Sequence, residues 1–273
     1  MGMETPATTP DDGPHGTAAT YVRHGNVATI TYDRPEAANA VNGAMRRDLN
    51  AAWERFQADE EAWVAILTGS GDRHFCGGAD LVDPAGSTGD FAGSFWEVPT
   101  VNSFESGLEV FKPTIAAVNG ACVGYGLTAV VSCDFVVASD RATFSWPEVT
   151  IGIPTIVGAI RLPRKVAWAD AMELLLTGEA IDAGQARDIG LAWRVVPHHE
   201  LMAEARALAD RLCRAAPLAA RATKEVAVRT RDMGWTEAVR FGETMRRVAG
   251  ATADATEGRE ARLEGRAPEW EGR

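Results

Sequence analysis

Three short apolar runs constrain the fold of this chain more than any other feature. They cover residues 63–68, 114–118 and 134–138, and turn-forming residues follow the first of them at Gly69 to Asp72. Apolar runs of five or six residues are typical of strands that are buried on both faces. A fourth strand is predicted over residues 27–32, where small and large side chains alternate. The pattern predicts a sheet with both faces covered.

Helical patterns lie between and after these strands. Asn42 is a candidate N-cap for a helix whose apolar stripe is Met45, Leu49, Trp53 and Phe56. Asp182 and Gln185 resemble a capping box that opens a short helix ending at Gly190. From about residue 200 the chain is predicted to be mainly helical, with one helix over 235–248 and a mixed-charge tail over 254–273.

Two segments are expected to be less regular. Residues 1–20 contain neither Lys nor Arg and no apolar segment, so we expect a disordered tail and not a signal peptide. Residues 81–110 contain several glycines and prolines and little helical periodicity until Phe104. We expect a mobile flap there, of the kind that often covers a site. No apolar run is long enough to predict a membrane span.

Charge and cysteine content narrow the function class. The chain has 27 Lys and Arg residues against 38 Asp and Glu residues, a formal charge of -11. This excess disfavours nucleic acids and anionic membranes as partners. Its four cysteines form no CxxC pair, which predicts reduced thiols and a cytoplasmic protein. The five histidines lack metal-ligand spacing, so no metal site is expected.

A glycine-rich turn before a predicted helix is the main candidate for chemistry. Residues 124–129 match the pattern GxGxxA, but a dinucleotide fold would place this motif in its first βα unit, not more than a hundred residues in. The backbone NH groups at such a helix start instead suit an anion or a developing oxyanion. A second glycine turn lies at residues 74–80. Two such turns, each giving one NH donor, would form an oxyanion hole.

Together with other motifs, these turns resemble the crotonase superfamily, and the chain is similar to enoyl-CoA hydratase/isomerase proteins from about residue 21 to residue 273. The order and spacing of the motifs carry the resemblance. They are Asp33-Arg34-Pro35, Asn39-Ala40, Asn42, Phe75 to Asp80, Ala117 to Gly120, Gly124-Tyr125-Gly126, Cys133-Asp134, Trp146-Pro147-Glu148, Leu176-Thr177-Gly178, Ala186 and Gly190-Leu191.

The resemblance implies an α/β fold, a spiral of ββα units with a helical C-terminal region. Residues 21–200 would form the spiral core with the acyl-CoA site, and residues 201–273 a helical oligomerisation region. A homotrimer or a dimer of trimers is implied. The substrate would be an acyl-CoA, with no cofactor beyond the coenzyme A that the substrate carries.

The resemblance also assigns roles to residues. The backbone NH groups of Ala79 and Tyr125 would bind the thioester oxygen, and the Tyr125 phenol would line or narrow the pocket. Other residues would contact the substrate: Cys76, Gly77, Gly78, Asp80, Leu81, Gly124, Trp146 and Pro147. We expect Trp146 either to stack on the acyl group or to pack in the core.

The acid/base residues decide which reaction is expected. Hydratases of this family use two carboxylates. Glu148 matches one, but the other position holds Thr128, whose hydroxyl does not ionise near neutral pH. One carboxylate suffices to move a double bond, so isomerisation of a 3-enoyl-CoA to a 2-enoyl-CoA is favoured.

Two alternatives to isomerisation stay open. One is a hydratase in which Glu97, Glu105 or Glu109 replaces the missing carboxylate. The other is a CoA-binding oligomer with little catalysis, acting as a scaffold or a regulatory subunit.

Overall fold

The computed structural model describes residues 18–82, 103–104 and 106–273. Within these residues the strands form a larger sheet, ordered β1-β2-β3-β5-β7-β10, and a smaller one, ordered β4-β6-β8-β9. The strands are β1 (Ala19–His24), β2 (Val27–Tyr32), β3 (Val64–Gly69), β4 (His74–Cys76), β5 (Thr114–Val118), β6 (Ala121–Val123), β7 (Phe135–Ser139), β8 (Thr143–Ser145), β9 (Ile181–Asp182) and β10 (Arg194–Val196). The predicted strands are confirmed, with shifts of one residue in β3 and β7.

The chain alternates between the two sheets. β3, β5 and β7 pair in parallel in the larger sheet, and each is followed by a strand of the smaller sheet, namely β4, β6 and β8. Helix α2 (Tyr125–Ser132) follows β6 and completes a ββα unit. This repeat is the spiral that the resemblance predicted. Because β4 and β6 are neighbours in the smaller sheet, the turns after them are neighbours too.

Both faces of the larger sheet are covered, which explains the apolar runs. All six residues of β3 are buried. On one face α1 (Gly43–Ala58) packs through its predicted stripe, and on the other α6 (Leu201–Leu212) packs through Leu201, Ala205 and Leu208. Asn42 caps α1 as predicted, since its side chain accepts a hydrogen bond from the Met45 backbone NH at 3.0 Å.

The remaining helices cover the second half of the chain. They are α3 (Val157–Arg161), α4 (Trp168–Thr177), α5 (Ala183–Asp188), α7 (Pro217–Arg229), α8 (Trp235–Gly250) and α9 (Ala253–Glu264). The capping box of Asp182 and Gln185 at α5 is confirmed. No helix of the described residues is long and apolar enough to cross a membrane.

Two predicted boundaries were wrong. The expected mixed-charge tail begins with α9, and the buried Asp254 carboxylate accepts hydrogen bonds from the backbone NH groups of Glu271 and Gly272, which fold the C-terminal segment back. The expected N-terminal tail extended to residue 20, but β1 already begins at Ala19, and the Ala18 NH donates to Asp48. Residues 1–17 and most of the expected flap lie outside the described residues.

Candidate active site

The first candidate loop is the glycine turn that follows β4. The Gly77 NH donates to the Ala38 carbonyl at 2.8 Å, and Gly78 adopts a φ of +90°, which favours glycine. Val41 and Ala79 form an isolated parallel bridge through Val41 NH to Gly78 O and Asp80 NH to Val41 O. This bridge does not use the Ala79 NH, so that donor is left for another acceptor.

Buried asparagine side chains hold this loop in place. Asn39 is fully buried and donates to the carbonyls of Ser70 and His74, while its Oδ1 accepts from the Arg34 NH at 2.9 Å. Asn119 also donates to the His74 carbonyl, at 3.3 Å. Each amide joins segments that are far apart in sequence, which fixes the turn.

The second candidate loop opens α2. Gly124 has φ +55° and ψ -115°, and its NH donates to the Ser145 carbonyl at 3.0 Å. Tyr125 is the first helical residue, so its backbone NH is among those that have no acceptor within the helix. Its side chain is half-buried, and the Arg46 guanidinium lies 5.6 Å from the centre of its ring.

The two turns and Glu148 meet at one place. A methyl group added to Gly124 would lie 3.6 Å from Gly78 Cα and 2.7 Å from Glu148 Oε1. A methyl group on Gly78 would lie 3.2 Å from the Val123 carbonyl oxygen. The turns therefore pack backbone against backbone, and the Glu148 carboxylate rests on the second of them. Glycine is required at both positions because a side chain would fill this junction.

Glu148 lies in the 3₁₀ turn Pro147–Ile151 that follows β8. Its own carbonyl accepts a hydrogen bond from the Ile153 NH at 2.9 Å, which fixes the backbone. Burial raises the pKa of the Glu148 carboxyl above its ordinary value, while its backbone NH and the nearby Thr155 hydroxyl oppose that rise. Oε2 of Glu148 is buried and has no hydrogen-bond partner among the described residues.

Thr128, which occupies the position of the missing carboxylate, is buried and hydrogen-bonded to another side chain. Its hydroxyl oxygen accepts a hydrogen bond from the Trp146 indole NH at 3.2 Å, and its exposed fraction is 4%. Trp146 has no exposed surface and belongs to the core. Of the two expectations for Trp146, the structure shows packing in the core.

The other residues that were predicted to contact the substrate differ in burial and in their interactions with the protein. Cys76 is fully buried, and a methyl group on Gly126 would lie 2.5 Å from its Cβ, so Cys76 can contribute only backbone. The Asp80 carboxylate is bound by the Arg34 guanidinium at 3.1 Å. Leu81 is 75% exposed beside this pair, whereas Gly77 and Pro147 are half-buried.

Glu109 lies away from Glu148. It lines a cavity of about 170 Å³ at the C-terminal end of α2, together with Arg161, Lys165 and Lys224. An eight-residue helix is about 12 Å long, which separates this cavity from the turn at the helix start. The cavity that Glu109 lines is therefore at the opposite end of α2 from the glycine turn. Glu97 and Glu105 lie outside the described residues.

Thr155 is the site residue that the sequence analysis missed. It precedes α3, and its Oγ1 is buried without a hydrogen-bond partner among the described residues. Its methyl group lies 2.7 Å from the position of a Cβ on Gly158. A single threonine within the apolar residues 151–158 gives no recognisable pattern. Its proximity to Glu148 depends on how the chain turns after β8.

Comparisons with known proteins agree with this architecture. The sequence profile of the family described as enoyl-CoA hydratase/isomerase matches residues 23–273. The chain is 36% identical to an (E)-benzylidenesuccinyl-CoA hydratase of Thauera aromatica, over 90% of this chain and 96% of that protein. It is also 36% identical to a carnitinyl-CoA dehydratase of Proteus mirabilis, over 91% of this chain and 96% of the relative.

Solved structures extend the similarity to three dimensions. An enoyl-CoA hydratase/isomerase from Mycobacterium paratuberculosis is 35% identical with a TM-score of 0.83, covering 95% of this chain and 100% of that one. An enoyl-CoA hydratase from Mycobacterium tuberculosis is 32% identical with a TM-score of 0.84, covering 94% and 99%. The match extends over nearly the whole chain in sequence and in fold. This chain is therefore an enzyme of the enoyl-CoA hydratase/isomerase family, with the crotonase fold.

Proposed function

We propose that this enzyme moves the double bond of a 3-enoyl-CoA to position 2, with Glu148 as its one catalytic carboxylate. The observation that carries the proposal is the contrast between Glu148 and Thr128, the two positions where hydratases of this family have a carboxylate. The Glu148 carboxylate rests against Gly124 at the helix start, whereas Thr128, one turn later, is buried and bound to Trp146. Among the described residues at the two turns, Glu148 is then the group that we expect to take up a proton, and a double-bond shift requires one such group.

The reaction follows from these positions. The thioester oxygen accepts hydrogen bonds from the NH groups of Ala79 and Tyr125. Glu148 removes a proton from C2, and the electron pair moves into the conjugated dienolate, whose oxygen carries the negative charge between the two donors. The Glu148 acid then returns the proton to C4, leaving the double bond between C2 and C3. Each oxyanion donor contributes about 10²- to 10³-fold in rate.

Burial of Glu148 supports this role. A carboxyl whose pKa is raised is a stronger base once ionised, and its protonated form is more populated near neutral pH than that of an ordinary carboxyl. The same group can therefore act first as base and then as acid. We also propose that Gly77, Gly78, Asp80, Leu81 and Pro147 contact the substrate.

Hydration of a 2-enoyl-CoA is the second candidate function. Relatives named as a hydratase and a dehydratase favour it. Water addition needs one group to activate the water and a proton source at C2, and a positioned acid or base contributes about 10²- to 10⁴-fold. With Thr128 in place of a carboxylate, we expect hydration to be the slower reaction.

The test is to incubate the enzyme separately with a 3-enoyl-CoA and a 2-enoyl-CoA. Products are resolved by mass and by the absorbance of the conjugated thioester. We expect wild type to conjugate the 3-enoyl substrate without gaining the mass of water, Glu148→Gln to lose this activity, and the exposed-site control Glu179→Gln to retain it. Rapid hydration of the 2-enoyl substrate would instead establish the second candidate, and binding without turnover would favour a scaffold.

We propose further that the enzyme is a cytoplasmic homotrimer or dimer of trimers. In the single chain neither α7 nor α8 contains a buried residue. Large apolar side chains are also exposed near the site and on the C-terminal helices: Ile151, Ile153, Ile156, Ile160, Trp168, Leu176, Trp235 and Val248. Large exposed apolar side chains in this number support self-association. Light scattering after gel filtration tests it, and a monomer at micromolar concentration would refute it. The four free cysteines support a reducing compartment.

A further inference from the structure

We propose that Trp146 is a specificity-determining residue, whose indole fills the space in which a second catalytic carboxylate and its water would lie. The inference deepens the proposed function and rests on it for the placement of the substrate between the two turns. It begins from one contact: the Trp146 indole NH donates to the Thr128 hydroxyl oxygen at 3.2 Å. Trp146 is completely buried, and Thr128 has an exposed fraction of 4%.

One face of α2 places this contact next to Glu148. Gly124 and Thr128 are one helical turn apart on that face, since the Thr128 NH donates to the Gly124 carbonyl at 3.0 Å. Residues 146–148 lie against the same face. A Cβ on Gly124 would be 2.7 Å from Glu148 Oε1, and one turn further along the helix the indole reaches Thr128. The indole is therefore next to the position where hydratases of this family have their other carboxylate.

The Trp146 ring is held between two helices. Besides Thr128 in α2, it packs against Gly158 in α3, where an added Cβ would lie 2.9 Å from two atoms of the ring. That distance is shorter than real contacts allow, so glycine at 158 is what lets the indole fit. The side chain belongs to the main hydrophobic core. Because protein interiors are close-packed, the indole cannot move aside without disturbing α3.

A carboxylate at position 128 would compete with the indole for this space. The carboxylate oxygens of a glutamate lie two bonds beyond its γ atom, and the γ oxygen of Thr128 is already in hydrogen-bond contact with the indole. A water molecule beside such a carboxylate would need further room. The indole NH is a donor only, so it can neither take up a proton nor activate a water. Trp146 thus excludes water from this position and leaves the proton transfers to Glu148.

The test installs the carboxylate with and without the indole. Thr128→Glu, Trp146→Gln and Thr128→Glu/Trp146→Gln are compared in hydration of a 2-enoyl-CoA, measured as the gain of the mass of water, and in melting temperature. The control is Thr128→Glu/Trp193→Gln, which changes a tryptophan that is 41% exposed.

We expect Thr128→Glu/Trp146→Gln to hydrate the 2-enoyl-CoA about 10- to 100-fold faster than Thr128→Glu or the control, because the new carboxylate then has room to act as an acid or base. We also expect its loss in melting temperature to be smaller than the sum of the losses of the two single variants, because the glutamate takes the place of the indole. A Thr128→Glu chain that folds only when Trp146 is also changed would be the extreme form of this result.

Two results would overturn the proposal. One is hydration by the double variant no faster than by Thr128→Glu, and the other is additive losses in melting temperature, which would show that the two side chains do not share one space. If Thr128→Glu/Trp146→Gln does not fold, Thr128→Glu/Trp146→Phe is compared in the same way, and failure of both to fold would also overturn the proposal. Melting needs no turnover. A wild-type enzyme that fails to isomerise would therefore refute the proposed reaction and leave this comparison intact.

Discussion

Gly124→Ala gives the sharpest test of the geometry at the junction of the turns. The φ of +55° and ψ of -115° at Gly124 belong to a region that other residues enter at a cost of about 1–3 kcal/mol. The added Cβ would also lie 2.7 Å from Glu148 Oε1, closer than real contacts allow, so the carboxylate must move. Displacing a reacting group by about 1 Å costs on the order of 10²-fold in rate.

The variant is therefore expected to lose both stability and activity, by separable amounts. For a chain of this size, about 1–3 kcal/mol corresponds to a lower melting temperature by about 2–4 °C per kcal/mol. We expect kcat for the 3-enoyl-CoA to fall about 100-fold or more. The matched control is Gly190→Ala, because Gly190 has a φ of +82° and nothing within 4 Å of an added Cβ.

Calorimetry and the conjugated-thioester assay measure the two effects. Gly190→Ala should lose stability by a similar amount and keep its kcat. Equal kcat losses in both variants would mean that backbone strain alone accounts for the effect. A Gly124→Ala enzyme with wild-type kcat would refute the placement of Glu148 on this turn.

Three further predictions concern the same region. Because the pKa of Glu148 is raised in the folded state, the native protein keeps the Glu148 proton at pH values where the unfolded chain has lost it. The contribution of Glu148 to stability is therefore lost as pH rises from the ordinary pKa of a glutamate through the raised pKa. Urea unfolding should show Glu148→Gln to be more stable than wild type at neutral pH, and the difference in free energy of unfolding should disappear in acid. Thr128→Val leaves the buried Trp146 indole NH without its acceptor and should cost about 1–3 kcal/mol in urea unfolding, with a smaller kcat loss than Glu148→Gln; unchanged stability would contradict the hydrogen bond. Gly158→Ala places a Cβ 2.7 Å from the Thr155 methyl group and should cost about 1–3 kcal/mol by overpacking, and a wild-type melting temperature would show that the site has room.

Sequence motifs predicted part of the candidate site correctly. The two glycine turns and Glu148 were predicted as one constellation, and the structure brings all three together. The predicted contacts of Cys76 and Trp146 were less reliable, because sequence does not distinguish a buried side chain beside a site from one that lines it. Thr155 gave no signal, because a single threonine in an apolar segment forms no pattern with its neighbours in sequence.

Local sequence patterns were enough to predict the strands, the caps and the order of the elements. Apolar runs buried on two faces, the Asn42 cap and the capping box at Asp182 depend on interactions within one segment or on burial averaged over many neighbours, and both leave a local pattern. The fold of residues 253–273 has no such pattern, because Asp254 is bound by backbone NH groups near the C-terminus. The burial and hydrogen bonding of the site side chains likewise depend on the packing of segments that are distant in sequence. Desolvation of Glu148, the engagement of Thr128 by Trp146 and the unpartnered hydroxyl of Thr155 arise where those segments meet, because burial and hydrogen-bond geometry are properties of the packed chain.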